Sequence, residues 1–128
     1  MVQEARLAHT LLTFDPHVHL LLMPWFYLFL AAVCEVGWPV GMKLAALHPS
    51  ARILWIIFAI VTMALSGIFL FIAQKHIPIG TAYAIWTGIG AAATFLIGIA
   101  FFHDPASLLR FLGVALILSG VILLKLAN

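Results

Sequence analysis

Charge is what this chain has least of. Only 8% of its 128 residues are charged, against about a quarter in an ordinary soluble domain. So little charge cannot clothe a water-exposed globule, which leaves lipid as the solvent. Cysteine is nearly missing too. Cys34 stands alone, which excludes an internal disulfide and a cysteine-based metal framework. The six histidines are scattered between the first 19 residues and the ends of apolar runs (His48, His76, His103), with no metal-ligand spacing. A net charge of +2 with no basic cluster gives no reason to expect a nucleic-acid partner. No nucleophile–base pair is present, so an enzyme is the weakest functional class, and no cofactor is expected.

What is present in excess is apolar: 66% of the residues. A spanning helix takes about 20 predominantly apolar residues. Four such runs with short loops nearly use up residues 23–128, at roughly 24–42, 53–73, 79–102 and 106–124. No irregular backbone can face lipid, so all four are helices, and the short loops make neighbours antiparallel. The fold class is all-α: a membrane bundle of four transmembrane helices, with no room for a soluble domain.

Residues 1–22 are of more ordinary composition, broken by Glu4, Arg6, His9, Asp15 and Pro16. They lack the charged start, clean apolar core and cleavage site of a signal peptide. Either translation begins at Met23, the reading preferred here, or the segment is a short amphipathic extension at the interface.

The flanking charges are balanced. One side of the membrane would hold Arg6, Lys75 and Lys125, and the other Lys43, Arg52 and Arg110. The positive-inside bias that sets orientation is therefore almost absent. One sequence could insert both ways and pair with itself antiparallel. Four helices enclose too little for a water-lined path, so a homodimer of eight is the expected unit. Such a pair reproduces the inverted repeats of many transporters.

Glu35 is the strongest chemical signal. An ionisable group at mid-span is costly and is a functional hypothesis by default. No Lys or Arg lies at comparable depth in the other spans. A carboxyl so placed can hold a proton or a cation but not both, and that competition is the physical basis of antiport. Trp38 lies three residues on, on the same helical face. An indole beside a carboxylate suits a flat or soft cation. Trp25 and Trp55, at span starts, read as interfacial anchors. Pro39 frees a backbone carbonyl near Glu35 and marks a hinge or a static kink.

The third span carries Tyr83 and Trp86 on one face, with Gly88 and Gly90 beyond. The aromatics could line a cavity, with the Tyr83 hydroxyl donating to Glu35, or simply pack. The glycines allow close helix contact or bending. Ser66 is one of few polar groups in the second span. It could bond its own backbone or reach Glu35. Gly113 and Gly120 are seven residues apart, two turns on one stripe, as in a helix-dimerisation face.

Two stretches carry a family likeness. Glu35-Val-Gly-Trp38-Pro-Val-Gly41-Met-Lys43 and Pro78-Ile-Gly80-Thr-Ala-Tyr83-Ala-Ile-Trp86-Thr-Gly88-Ile-Gly90 resemble the small multidrug resistance family, over residues 23–128. The resemblance implies an antiparallel homodimer in the cell (inner) membrane. It implies Glu35 as a shared proton and substrate site, Tyr83 and Trp86 as pocket lining, and Gly113 and Gly120 as a dimer motif. The tryptophan after the glutamate and the Trp-Thr-Gly-Ile-Gly run are most similar to the branch exporting guanidinium ions. There a second-span serine, matched by Ser66, joins the glutamate. Pro39 and Ala93 depart from that branch, where a small residue and a glycine are usual. The expectation is a proton-coupled guanidinium exporter. The alternatives are an exporter of quaternary ammonium cations and, more distantly, an accessory membrane subunit with no substrate.

Overall fold

The computed structural model describes residues 16–127, with side chains from residue 22 onward. Residues 1–15, most of the segment read above as an extension, lie outside the described residues. The helices are α1 (Pro16–Leu47), α2 (Arg52–Ala73), α3 (Ile79–Phe102) and α4 (Leu108–Leu126), with a 3-10 turn at Pro49–Ala51. Four segments are long and apolar enough to cross a membrane: Leu22–Leu47, Pro49–Ala73, Ile79–Phe102 and Leu108–Leu126.

Three boundaries differ from the sequence reading. Helix α1 starts at Pro16, about eight residues before the expected start of the first span at residue 24. Helix α1 does not stop near Lys43 but runs to Leu47. Leu, Ala and Lys are strong helix formers, and an exposed lysine near a span end snorkels without breaking the helix. Helix α4 starts two residues later than its apolar run, because Ser107 is its N-cap and accepts the Arg110 backbone N–H. Pro24 and Pro39 both lie inside α1, which continues through them.

In lipid, helices do not associate by the hydrophobic effect, so close packing of small residues matters most. The buried positions of α2 are Ala59, Ser66 and Ala73, each seven residues from the next. Two turns separate them, so they form one narrow stripe. Helix α1 sets Ala31, Ala32 and Ala45 into the bundle, and α3 contributes Ala82, Gly88 and Ala92. The long aliphatic side chains of α2 (Ile53, Leu54, Ile60, Ile68) point away from this core, where lipid would meet them. Larger residues fill the core only at the α2–α3 end, around Leu28, Ile77 and Ile85.

Helix α1 packs against both α2 and α3, whereas α4 packs its backbone against α3 alone. An added Cβ at Gly88 would strike Val121 of α4, so the missing side chain seats that helix. The cations at the span ends rest over aromatic rings. Lys75 lies over Phe71 at 5.0 Å, Arg110 over Phe95 at 5.3 Å, and Lys125 over Trp25 at 5.3 Å. Helix α3 closes with His103 in the left-handed region (φ 57°) and the Asp104 N–H bonded to Gly98 O.

Candidate functional site

Trp38, Ser66 and Trp86 converge on Glu35. Trp38, one turn along α1, donates its indole N–H to Glu35 Oε1 at 2.8 Å. Ser66 of α2 lies with its hydroxyl 3.0 Å from Glu35 Oε2 and 2.8 Å from the Ala31 carbonyl. Trp86 of α3 donates its indole N–H to Ser66 Oγ at 3.0 Å. Three helices thus contribute to one chain of hydrogen bonds: Trp86 to Ser66 to Glu35, with Trp38 on the other carboxylate oxygen.

Packing fixes this arrangement. Ser66 is fully buried, on the alanine stripe that meets α1. A buried hydroxyl costs free energy unless bonded, and Ser66 accepts from Trp86 while its one hydrogen has Ala31 O and Glu35 Oε2 within reach. Gly90 of α3 faces the carboxylate from the other side. An added Cβ there would lie 3.0 Å from Glu35 Cγ, so a side chain at 90 would press on the acid. On α1, two residues past Glu35, Gly37 admits Thr62 of α2. An added Cβ would lie 2.6 Å from Thr62 Cβ, so α1 and α2 meet closely beside the site. Pro39 has no N–H to give the Glu35 carbonyl, four residues back, and so removes one rung of the α1 ladder there.

The hydrogen count decides what the network can do. A hydroxyl has one hydrogen and two lone pairs. Ser66 has two acceptors within reach, Ala31 O and Glu35 Oε2, and can serve only one at a time. With Glu35 ionised, the hydrogen points at the carboxylate. With Glu35 protonated, it turns to Ala31 O, and the second Ser66 lone pair accepts from the acid while the first keeps Trp86. The serine is therefore satisfied in both protonation states. The ionised carboxylate has about four lone-pair sites, of which Trp38 and Ser66 occupy two. Its described partners are neutral donors, so its charge is not cancelled.

Of the residues singled out by sequence, Glu35, Trp38, Ser66 and Trp86 come together. Tyr83 does not donate to Glu35. It is 55% exposed and its ring leans on Trp86, centroids 5.1 Å apart. Gly113 and Gly120 lie with open space within 4 Å of where a Cβ would stand. Sequence reasoning missed the Ala31 carbonyl, Thr62 and the clearing at Gly37. Thr62 lies four residues from Ser66 on one face of α2, and that spacing is the signal that could have found it. Among the described residues no three His, Cys, Asp or Glu side chains gather as a metal site.

A multi-pass membrane bundle with, among the described residues, a single carboxylate inside its spans has the build of a transporter rather than of an enzyme. The sequence profile described as Small Multidrug Resistance protein matches residues 23–117. The guanidinium exporter of Yersinia pseudotuberculosis serotype I is 45% identical over 106 residues, covering 83% of this chain and 100% of that protein. The guanidinium exporter of Proteus vulgaris is 44% identical over 106 residues, with the same shares. That of Escherichia coli K12 is 39% identical over 106 residues, 83% of this chain and 99% of the relative. The chain belongs to the small multidrug resistance family.

Proposed function

We propose that this protein exports guanidinium and small substituted guanidinium cations in exchange for protons, across the cell (inner) membrane, as an antiparallel homodimer. The observation that carries the reading is the Glu35 carboxylate. It lies within a membrane-spanning helix and is held by two neutral donors. The names of the relatives above support the substrate class.

Guanidinium is flat and presents paired N–H donors that match a carboxylate bidentately. Two lone-pair sites of Glu35 remain for it beside Trp38 and Ser66. A proton arriving at Glu35 removes the negative charge that holds the cation. A cation arriving displaces the proton. Exchange follows from single occupancy, and alternating access from two inverted copies swapping conformations. The open stripe at Gly113 and Gly120 supports pairing with a second copy through α4.

Pro39 and Gly37 lie within one turn of Glu35, so this chain's site has its own local shape. That keeps a second reading in view, export of quaternary ammonium cations, which needs no N–H donors on the cargo. Uptake into proteoliposomes under a proton gradient separates the two. Guanidinium is transported and tetramethylammonium is not, on the proposed reading. Transport of tetramethylammonium alone would overturn it.

A further inference from the structure

Between α1 and α3 lies a largely apolar chamber with charged groups in its lining, which the exchange site does not use. It has a volume of about 190 Å³ and is lined by Pro39, Lys43, Thr94, Gly98, Phe102 and Asp104, among others. One water needs only about 10–15 Å³ on this measure, so a small partly hydrated ion fits. Its inner end lies close to Glu35. Pro39 is one turn past Glu35 on α1, and Thr94 is one turn past Gly90, the residue that touches Glu35 on α3. A turn is about 5.4 Å. Its mouth is at the span ends, where Lys43 and Asp104 stand.

The chamber repeats the chemistry of the inner site. Glu35 has an indole and a hydroxyl beside its carboxylate. Asp104 shares its chamber with Phe102 and Thr94. The turn after α3 puts the Asp104 carboxylate over Gly98, where any side chain would exclude it. The Phe102 ring already carries a cation, since the Lys43 ammonium sits 6.0 Å from its centroid. Lys43 is exposed, on a flexible stem, and free to swing into water.

We propose that this chamber is an outer binding site for the transported cation, with Asp104 as the counter-charge and Phe102 as the ring. Lys43 is a tethered competitor that occupies the ring until cargo displaces it. The inference rests on the proposed function for the identity of the cation. It adds a weak waiting site a little over two turns, about 12 Å along the helices, from Glu35, which raises the local cargo concentration before exchange. Two residues of the same chamber then act in opposite directions. Removing the Asp104 charge weakens cation capture, and removing the Lys43 charge strengthens it.

The test uses the full-length protein in nanodiscs and methylguanidinium, whose methyl protons report binding by saturation-transfer NMR. Glu35→Gln retains weak saturable binding, and Glu35→Gln with Asp104→Asn loses it. In proteoliposomes, Asp104→Asn raises KM roughly fivefold, the scale of a partly exposed charge pair, while kcat falls less than about twofold. Lys43→Met lowers KM. No residual binding in Glu35→Gln, or residual binding indifferent to Asp104, would overturn the outer site. So would an unchanged KM in Asp104→Asn, whose side chain is isosteric and keeps the fold. If the wild type neither binds nor transports guanidinium compounds, the functional reading itself fails. If the wild type transports them and Glu35→Gln binds nothing, only the outer site fails.

Discussion

Helices α1 to α3 and helix α4 are all apolar enough to span a membrane, yet they are used differently. The first three bury small residues against one another and hold a carboxylate, two indoles and a hydroxyl in one network. Helix α4 has no buried residue and touches the bundle through the clearing at Gly88. Its two glycines face open space. The difference teaches that hydropathy marks a span but not its task. A span that builds a site carries polar groups aimed inward. On the proposed reading, a span that joins copies carries small residues aimed outward and leaves its own bundle thinly packed. On this view α1 to α3 are the exchanger and α4 is the joint, and substitutions in the two regions should fail in different ways.

The largest effect should come from the exchanger. Glu35→Gln keeps the shape and removes the titrating group. Proton-driven uptake falls to the level of empty liposomes while the purified protein elutes as wild type. Uptake that survives would mean the two regions are not divided as described. Next comes the joint. Gly120→Leu fills the outward stripe, and at the scale of an interface hot spot it shifts the dimer equilibrium by about 30-fold or more. Cross-linking in bilayers reads the loss of dimer, and single-copy protein carries no exchange. An unchanged dimer would place the interface elsewhere.

Ser66→Ala returns to the exchanger at smaller scale. It leaves the Trp86 N–H and one carboxylate oxygen without their partner, a cost of about 1–3 kcal/mol. Cation affinity falls about 5- to 150-fold, and its dependence on pH changes as well, because the charge-assisted hydrogen bond that Ser66 gives the ionised carboxylate is stronger than the neutral one it accepts from the protonated acid. A uniform loss at all pH values would mark the serine as merely structural. The smallest effect belongs to Tyr83→Phe. The hydroxyl makes no described bond to Glu35 and the ring stays on Trp86, so KM changes by less than about twofold, within the range of a neutral surface change.

Much of this was legible in the sequence, for identifiable reasons. The four spans follow from apolar run length, which lipid enforces. Glu35 stands out because a lone charge in such a run is rare, and Trp38 follows because three residues bring it to the same face. The ends of α1 and α4 were less legible. Leu44–Leu47 are as helical outside the apolar core as within it, and Ser107 sets the start of α4 by capping rather than by hydropathy. The contacts of Ser66 were not legible from its own span. They depend on the register of α2 against α1, which the alanine stripe sets, and periodicity does not state which residue of α1 it meets. Tyr83 shows the same limit in reverse. It shares a face with Trp86, but only Trp86 is deep enough to reach the serine. The Asp104 chamber was hidden because its acid is a loop residue in sequence and enters the groove only through the left-handed turn at His103.

The sharpest measurement is proton release on cation binding. Purified protein in weak buffer is titrated with guanidinium while free proton is followed. If hydrogen ion and cargo take turns on one acid, protons appear in step with binding, apparent cation affinity weakens as pH falls, and Glu35→Gln abolishes the release. Saturable binding that releases no proton at any pH where the protein stays folded would contradict the account.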